Sequence, residues 1–286
     1  MGERLSRRDF LKRAGQIGAE TMAAIAGLEV ISQASTPEGI SFRGRRQLYS
    51  RLNVSNEEAE FISSFRPITI AHRAGNTLRG ITDAKSSNID CVEVDVNKAG
   101  GHLYAEHGEI IMLGRLPLGV FDEESARFKF GRPAQIEMSL QTIGQAGMGV
   151  MFDLKRGSLH EGDIYYLREL CDKSSIDPMV HSNNPYLVDT ARRVFDENKC
   201  YYVPANNTDE EWNYITQRGV KGIFSNAQSI ISRAPYLRNQ DIKVIAGLIT
   251  DPKQIREMAA LGIKLAGVFS EKKDLSGFAT QLKQMY

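Results

Sequence analysis

The sequence has little of three features that often identify a protein class: cysteine, net charge and long apolar runs. Its 286 residues include only three cysteines, Cys91, Cys171 and Cys200, in no CxxC or zinc-type spacing. This pattern excludes a disulfide-rich scaffold and gives no basis for a zinc site. The formal net charge of +1 argues against nucleic acid or a membrane surface as the main partner. No run of about 18 apolar residues occurs, so a transmembrane helix is not expected.

The N-terminal residues differ in character from the rest of the chain. Residues 6–12, which include Arg7 and Arg8, resemble the twin-arginine export signal of bacteria. We therefore expect residues 1–35 to be a signal for the twin-arginine export machinery, which would place the protein in the periplasm or outside the cell. A disordered or amphipathic tail is the alternative, and the protein would then be cytoplasmic. Residues 36–65 are polar and basic and predict a linker with a short helix.

Residues 66–286 alternate short β-rich runs with segments of helical period. The predicted strands are Ile68–Ala71, Cys91–Val96, Gly149–Lys155, Met179–Ser182, Cys200–Pro204, Gly222–Ser225, Lys243–Thr250 and Ala266–Ser270. The predicted helices are Thr77–Ser87, Glu161–Lys173, Pro185–Phe195, Asp209–Arg218, Ser229–Leu237 and Pro252–Leu261. Eight strands alternating with helices predict an α/β fold, a single-domain (β/α)₈ TIM barrel. The irregular stretch Gly108–Gln135 predicts a loop or insertion over the barrel mouth.

Charged residues occupy one face of two predicted barrel strands. Because side chains alternate along a strand, Glu93 and Asp95 share the inner face of one strand, and Asp153 and Lys155 share that of the next. Burying these carboxylates together without a cation would be very costly. Glu93, Asp95 and Asp153 therefore predict a site for a hard divalent ion, Mg²⁺ or Ca²⁺. The alternative is that Glu93 and Asp95 are exposed at a strand end and pair with lysines.

Five short motifs follow one another at spacings that together are specific. They are His72-Arg73-Ala74, Asn76-Thr77, Glu93-Val94-Asp95, His107 and Asp153-Leu154-Lys155. In this order the chain resembles the glycerophosphodiester phosphodiesterases, over roughly residues 66–275. The resemblance implies a metal-dependent hydrolase that acts on a small-molecule or lipid-derived phosphodiester.

The resemblance also implies a role for each motif. His72 would be the base or nucleophile, and His107 the acid that protonates the leaving alcohol. Arg73 and Lys155 would bind the substrate phosphate. Two histidines suit opposite protonation states near neutral pH, because their ordinary pKa is about 6.5. His102, at a hairpin turn, is the competitor for the role of His107.

The chain also departs from the family pattern. The acidic ligand that usually precedes Asn-Thr is missing, and Gly75 stands before Asn76 instead. The related sphingomyelinase D and lysophospholipase D branch also lacks that ligand, so a phospholipase D that forms a cyclic phosphate is an alternative function. A non-catalytic barrel that binds phosphorylated ligands is another. Asn76 and Asn184 are further candidate ligand contacts, and His181 could approach the barrel mouth.

Overall fold

A computed structural model of the chain describes residues 67–122, 127–155, 157, 159–240, 242–247, 249, 253–270, 277 and 279–280. The predictions for residues 1–35 and 36–65 lie outside the described residues. The strands are β1 (Ile68–Ala71), β2 (Cys91–Ala99), β3 (His102–Ala105), β4 (Glu109–Leu113), β5 (Leu116–Asp122), β6 (Arg127–Phe130), β7 (Gly149–Leu154), β8 (Met179–Ser182), β9 (Cys200–Tyr202), β10 (Gly222–Asn226), β11 (Lys243–Gly247) and β12 (Lys264–Ser270). The helices are α1 (Leu78–Ser86), α2 (Ile136–Ala146), α3 (Glu161–Lys173), α4 (Pro185–Val194), α5 (Asp209–Gln217), α6 (Ala227–Ser232), α7 (Ala234–Asn239) and α8 (Lys253–Ala260).

The main sheet closes on itself. Its strands run in the order β1, β12, β11, β10, β9, β8, β7, β2, and β1 also pairs in parallel with β2. Strand β3 continues from β2 as an antiparallel neighbour outside the ring. Eight parallel strands with intervening helices confirm the predicted (β/α)₈ barrel. None of the helices in the described part of the chain is long and apolar enough to span a bilayer.

The two faces of the barrel strands divide as the alternation predicts. Val94 and the valines two residues to either side pack with Leu140 of α2, in the layer between strands and helices. Cys91 and Met151 point into the barrel instead, where they pack with Phe269. Charged residues an even number of positions from Cys91 or Met151 on the same strand therefore also point into the barrel. They lie toward the carboxyl ends of their strands. This is where barrel enzymes place their active sites.

The predicted insertion is a small antiparallel sheet. Strands β4, β5 and β6 pair in that order, and their inner face packs Ile110 and Val120 on Tyr104 of β3. The sequence predicts an insertion here but not its strands. Helix α2 was not predicted either. It begins after Gln135, whose side chain makes no capping hydrogen bond, so the usual N-terminal signal is missing. The single helix predicted around Pro235 is divided into α6 and α7, since proline lacks the N–H that a continuous helix needs.

Candidate active site

The loop after β1 places His72 and Arg73 against β2. The backbone N–H of Arg73 donates a hydrogen bond of 2.8 Å to Oε2 of Glu93. The same oxygen lies 3.7 Å from Nε2 of His72. Arg73 adopts a left-handed conformation with φ of 54°, which is uncommon for a residue with a side chain. Glu93 therefore holds the loop in a conformation that the backbone alone would not favour.

Asn76 connects the same loop to Asp95. Its Nδ2 donates to Oδ2 of Asp95 at 2.6 Å, and its Oδ1 accepts from the backbone N–H of Asp95 at 2.9 Å. Both residues are buried. The side chain of Asn76, predicted as a candidate ligand contact, thus uses both its oxygen and its nitrogen to hold Asp95 in place.

Gly75 lies where the loop after β1 approaches β2 most closely among its described contacts. Its backbone lies directly on β2, so a Cβ atom at this position would come within 2.7 Å of the carbonyl oxygen of Glu93 and still closer to Cγ2 of Val94. Real Cβ atoms essentially never approach backbone so closely. In this shortened loop no side chain fits at position 75, and a carboxylate there would have to displace the strand.

Lys155 forms ion pairs with the two aspartates of the site. Strands β2 and β7 pair so that Asp95 lies opposite Asp153. The Nζ atom of Lys155 lies 2.6 Å from Oδ1 of Asp95 and also contacts Oδ2 of Asp153. Lys155 was predicted to contact substrate phosphate, and in the described structure it contacts carboxylates. Asp95, predicted as a metal ligand, has both carboxylate oxygens in contact with Asn76 or Lys155.

His181 is the site residue that sequence analysis placed least firmly. It lies opposite Asp153 in the pairing of β7 with β8, and only 3% of it is exposed. Its Nε2 is 3.3 Å from Oε1 of Glu93, and its Nδ1 is 3.8 Å from Oδ1 of Asp153. Its ring packs on Phe224 and Phe269. The signal available in the sequence was its place near the carboxyl end of the fourth predicted barrel strand.

Glu93, Asp153 and His181 form a group that can hold a metal ion. One ligand atom from each lies within 4.8 Å of the others. Carboxylates suit Mg²⁺, Ca²⁺ and Mn²⁺, and an imidazole extends the donor set toward transition metals. Glu93 and Asp153 thus belong both to the predicted ligand set and to the group that the structure brings together. The third member differs: the sequence predicts Asp95, and the structure adds His181.

The charges of this group shift one another's pKa. Burial raises the pKa of Glu93 more than the nearby His181 ring lowers it. Burial would also raise the pKa of Asp153, but His181 and Lys155 beside it lower that pKa instead. Burial would lower the pKa of both His181 and Lys155, yet the adjacent carboxylates hold both above their usual values. Glu93 is thus less well compensated than Asp153, and a cation beside it would stabilise its ionised form.

His107 contacts Arg73, in the loop that also carries His72. The Nη2 atom of Arg73 is 2.6 Å from Nε2 of His107. Because a guanidinium only donates, Nε2 accepts here and the proton of the neutral ring lies on Nδ1. The competitor His102 is exposed and packs on the ring of Tyr104, which favours the solvent-facing interpretation.

Asn184, predicted as a possible ligand contact, has a local structural role. Its Oδ1 accepts from the backbone N–H of Tyr186 at 3.1 Å and so caps the N-terminus of α4. Its position after β8 keeps it at the carboxyl ends of the barrel strands. Contact between Asn184 and a ligand stays a prediction.

The chain is similar to solved structures, and the similarity is one of fold. No family model and no curated protein matches the chain. A phosphodiesterase of Oleispira antarctica, solved in complex with its product sn-glycerol-3-phosphate, matches with a TM-score of 0.59 and 20% identity over 77% of this chain and 99% of the other. A glycerophosphodiester phosphodiesterase of Parabacteroides distasonis gives 0.55 and 17%, over 77% and 98%. One of Agrobacterium tumefaciens gives 0.52 and 12%, over 75% and 99%.

These matches cover the barrel and nearly the whole length of each compared structure. Their sequence identities are low, so the likeness is one of fold. The chain has the TIM-barrel fold of the glycerophosphodiester phosphodiesterases, the family that its motifs resemble.

Proposed function

We propose that the protein is a metal-dependent phosphodiester hydrolase that cleaves glycerophosphodiesters or lysophospholipid-like diesters. The observation that carries the proposal is the convergence of motifs that lie far apart in the sequence. Glu93 contacts His72 and the backbone of Arg73, whose side chain contacts His107, and His181 joins Glu93 to Asp153. The compared phosphodiesterase bound to sn-glycerol-3-phosphate supports a small phosphodiester as the substrate class.

The two histidines would share the proton transfers. His72 is the proposed base or nucleophile, and His107 the proposed acid that protonates the leaving alcohol. Arg73 would bind phosphate oxygens, and in doing so would release Nε2 of His107 from its present contact. Lys155 would supply further positive charge beside the phosphate. These roles use only groups that already meet at the mouth of the barrel.

A divalent cation, Mg²⁺ or Ca²⁺, is proposed to bind Glu93 and Asp153, with Asp95 as the third carboxylate. Such an ion supplies Lewis-acid activation of a phosphate oxygen. His181 is proposed as an additional ligand, in a chain whose loop cannot carry the usual acidic one. Its role can be tested with Mn²⁺ as a paramagnetic probe. Electron spin-echo spectra should show nitrogen coupling in the wild type and lose it in His181→Gln; coupling that persists would remove His181 from the ligand set.

The proposed chemistry is tested by turnover of a glycerophosphodiester and of a generic aryl phosphodiester. His72→Gln and His107→Gln should each lower kcat/KM at least about a hundredfold, the usual size of an acid–base contribution. His102→Gln is the matched control and should keep wild-type turnover, because His102 is exposed and outside the cluster. Wild-type turnover in both His72→Gln and His107→Gln would reject the assignment. No metal-dependent turnover of any diester by the wild type would favour the non-catalytic binding barrel.

A second candidate function is a phospholipase D that forms a cyclic phosphate. The steric exclusion of a side chain at Gly75 favours it, because the sphingomyelinase D and lysophospholipase D branch also lacks this acidic ligand. Phosphorus NMR of the product from a choline lysophospholipid separates the two functions. A cyclic phosphate resonance supports the second, and an open phosphomonoester supports the first.

Export by the twin-arginine machinery is proposed from residues 6–12 alone, which the structure does not describe. A double change of Arg7→Lys and Arg8→Lys should retain the protein in the cytoplasm of a bacterial host. Periplasmic recovery of the double variant would contradict this route.

A further inference from the structure

The insertion sheet exposes large apolar side chains at one end. The hairpin between β4 and β5 carries Leu113 and Leu116, which are 69% and 57% exposed, and β6 ends with Phe130, which is 81% exposed. Leu118 lies beside them, since its carbonyl accepts a hydrogen bond from Gly131 next to Phe130. We call Leu113, Leu116, Leu118 and Phe130 the apolar end of the sheet.

These side chains are not needed to hold the sheet on the barrel. The inner face of the sheet already packs Ile110 and Val120 on Tyr104. The ring of Phe128 lies over Gly119 and packs edge-on against Phe130, at a centroid distance of 4.6 Å. The apolar end therefore projects beyond a sheet that is already packed, and such clusters mark surfaces that bind another partner.

The charged residues that neighbour the apolar end in the sequence are basic. Arg115 lies in the hairpin between Leu113 and Leu116, and Arg132 follows Phe130; both are exposed. The sequence has no Asp or Glu at 110–121 or 130–136. The acidic Asp122 lies at the opposite end of β5, where it pairs with Lys129. A local surface that is both apolar and cationic thus exists on a chain with a net charge of only +1.

This combination fits an anionic lipid surface better than another copy of the chain. In a symmetric dimer through the apolar end, Arg115 and Arg132 would face the same residues of the second copy and repel them. Anionic headgroups would pair with the two arginines, while the leucines and the phenylalanine enter the boundary between headgroups and acyl chains.

The sheet is joined directly to the candidate site. Only Gly108 separates His107 from β4. The carbonyl of Gly108 accepts a hydrogen bond of 2.9 Å from Nδ2 of Asn97. Leu113 is six residues beyond His107, or no more than about 20 Å along an extended strand. The apolar end is therefore outside the catalytic cluster but close enough to hold the barrel mouth near a surface to which it binds.

We propose that the apolar end, with Arg115 and Arg132, docks the protein on an anionic phospholipid bilayer. Docking itself is independent of catalysis. Its consequence, delivery of lipid-derived diesters to the barrel mouth, rests on the function proposed above.

Vesicle flotation of the full chain tests the docking. The wild type should float with vesicles of mixed phosphatidylcholine and phosphatidylglycerol, and much less with phosphatidylcholine alone. A triple change of Leu113, Leu116 and Phe130 to Ser should weaken this binding at least about tenfold, because it removes most of the apolar surface. Arg115→Gln with Arg132→Gln should weaken it by roughly tenfold or more and abolish the preference for anionic lipid. Tyr165→Ser is the matched control, because it removes an exposed aromatic side chain from α3. It should bind as the wild type does.

The outcomes distinguish lipid docking from dimerisation through the apolar end, and from the proposed hydrolase activity. A wild type that floats with neither vesicle, or a triple variant that binds as well as the wild type, would overturn the proposal. So would a dimer in sedimentation equilibrium that the triple change dissociates, since the apolar end would then belong to a second copy. The arginine variant keeps the proposal testable if the triple variant fails to fold. Turnover of a soluble aryl diester should be unchanged in these variants, and flotation without any turnover would leave docking intact while rejecting the hydrolase.

Discussion

Replacement of Gly75 by alanine should damage the site loop more than its size suggests. The new Cβ atom would lie 2.7 Å from the carbonyl oxygen of Glu93, whereas ordinary van der Waals contact begins at 3.4 Å. The strand carbonyl cannot rotate away as a flexible side chain would, because β2 is held at Glu93 by its pairing with β7. The loop must therefore move, and the hydrogen bonds of Asn76 to Asp95 must lengthen with it.

The cost can be estimated from overpacking in other proteins. Forcing an extra methyl group into a packed region usually costs about 1–3 kcal/mol, and because the contact here is with backbone, Gly75→Ala should cost about 2–3 kcal/mol. For a barrel of this size each kcal/mol lowers Tm by about 2–4 °C, so the expected fall is about 4–12 °C. Turnover should fall as well, since the loop also carries His72 and Arg73.

Urea denaturation followed by circular dichroism measures the free energy of unfolding. Gly162→Ala is the matched control, because no heavy atom lies within 4 Å of the Cβ it would gain and it lies in the first turn of α3. That variant should be unchanged or more stable by up to about 1 kcal/mol. If the free energy of unfolding of Gly75→Ala lies within about 0.5 kcal/mol of the wild-type value, the close approach of loop and strand is contradicted.

Three further variants test the contacts around the carboxylates by urea denaturation of metal-free protein. Asn76→Ala should cost about 2–4 kcal/mol, because it leaves a backbone N–H and a carboxylate oxygen of buried Asp95 without partners; a cost below about 1 kcal/mol would contradict this. Lys155→Met should cost about 3–5 kcal/mol, since it breaks a largely buried ion pair; an equally stable variant would refute the pairing. The pKa of Asp153 is lowered in the folded state. Ionised Asp153 therefore adds to the free energy of unfolding above its unfolded pKa of about 3.9, and this stabilisation is lost as the pH falls through the lower folded pKa. Asp153→Asn should therefore flatten the stability profile below about pH 4, and an unaltered profile would contradict the shift.

Much of the barrel and its charged face could be predicted because the signals are local. Alternation along a single strand is enough to place Glu93, Asp95 and Asp153 on the inner side. The bounds of β1 and β8 match their predictions to the residue. These features depend on residues one or two positions apart, which any strand with a buried face must arrange in the same way.

The contacts that need distant partners could not be predicted. All four residues of β8 are buried, so their hydrophobic pattern does not say which face His181 occupies. Only the register of β8 on β7 brings it opposite Asp153. The pairing of Asp95 with Lys155, and the close approach of Gly75 to β2, likewise depend on how separate strands meet. The antiparallel sheet of the insertion has alternation too weak to separate it from a loop.

The central claim is that Glu93 and its neighbours bind a divalent cation on which phosphodiester cleavage depends. Its most direct test is titration of metal-stripped protein with Mg²⁺ or Ca²⁺ while glycerophosphodiester hydrolysis and Tm are followed together, in the wild type and in Glu93→Gln. The wild type should gain turnover and, at a hundred times the dissociation constant, about 2.7 kcal/mol of stability. Glu93→Gln should gain neither, although its metal-free form should be at least as stable as the wild type, since it removes a poorly compensated buried charge. Full turnover by the metal-stripped wild type, or equal metal response in Glu93→Gln, would contradict the account.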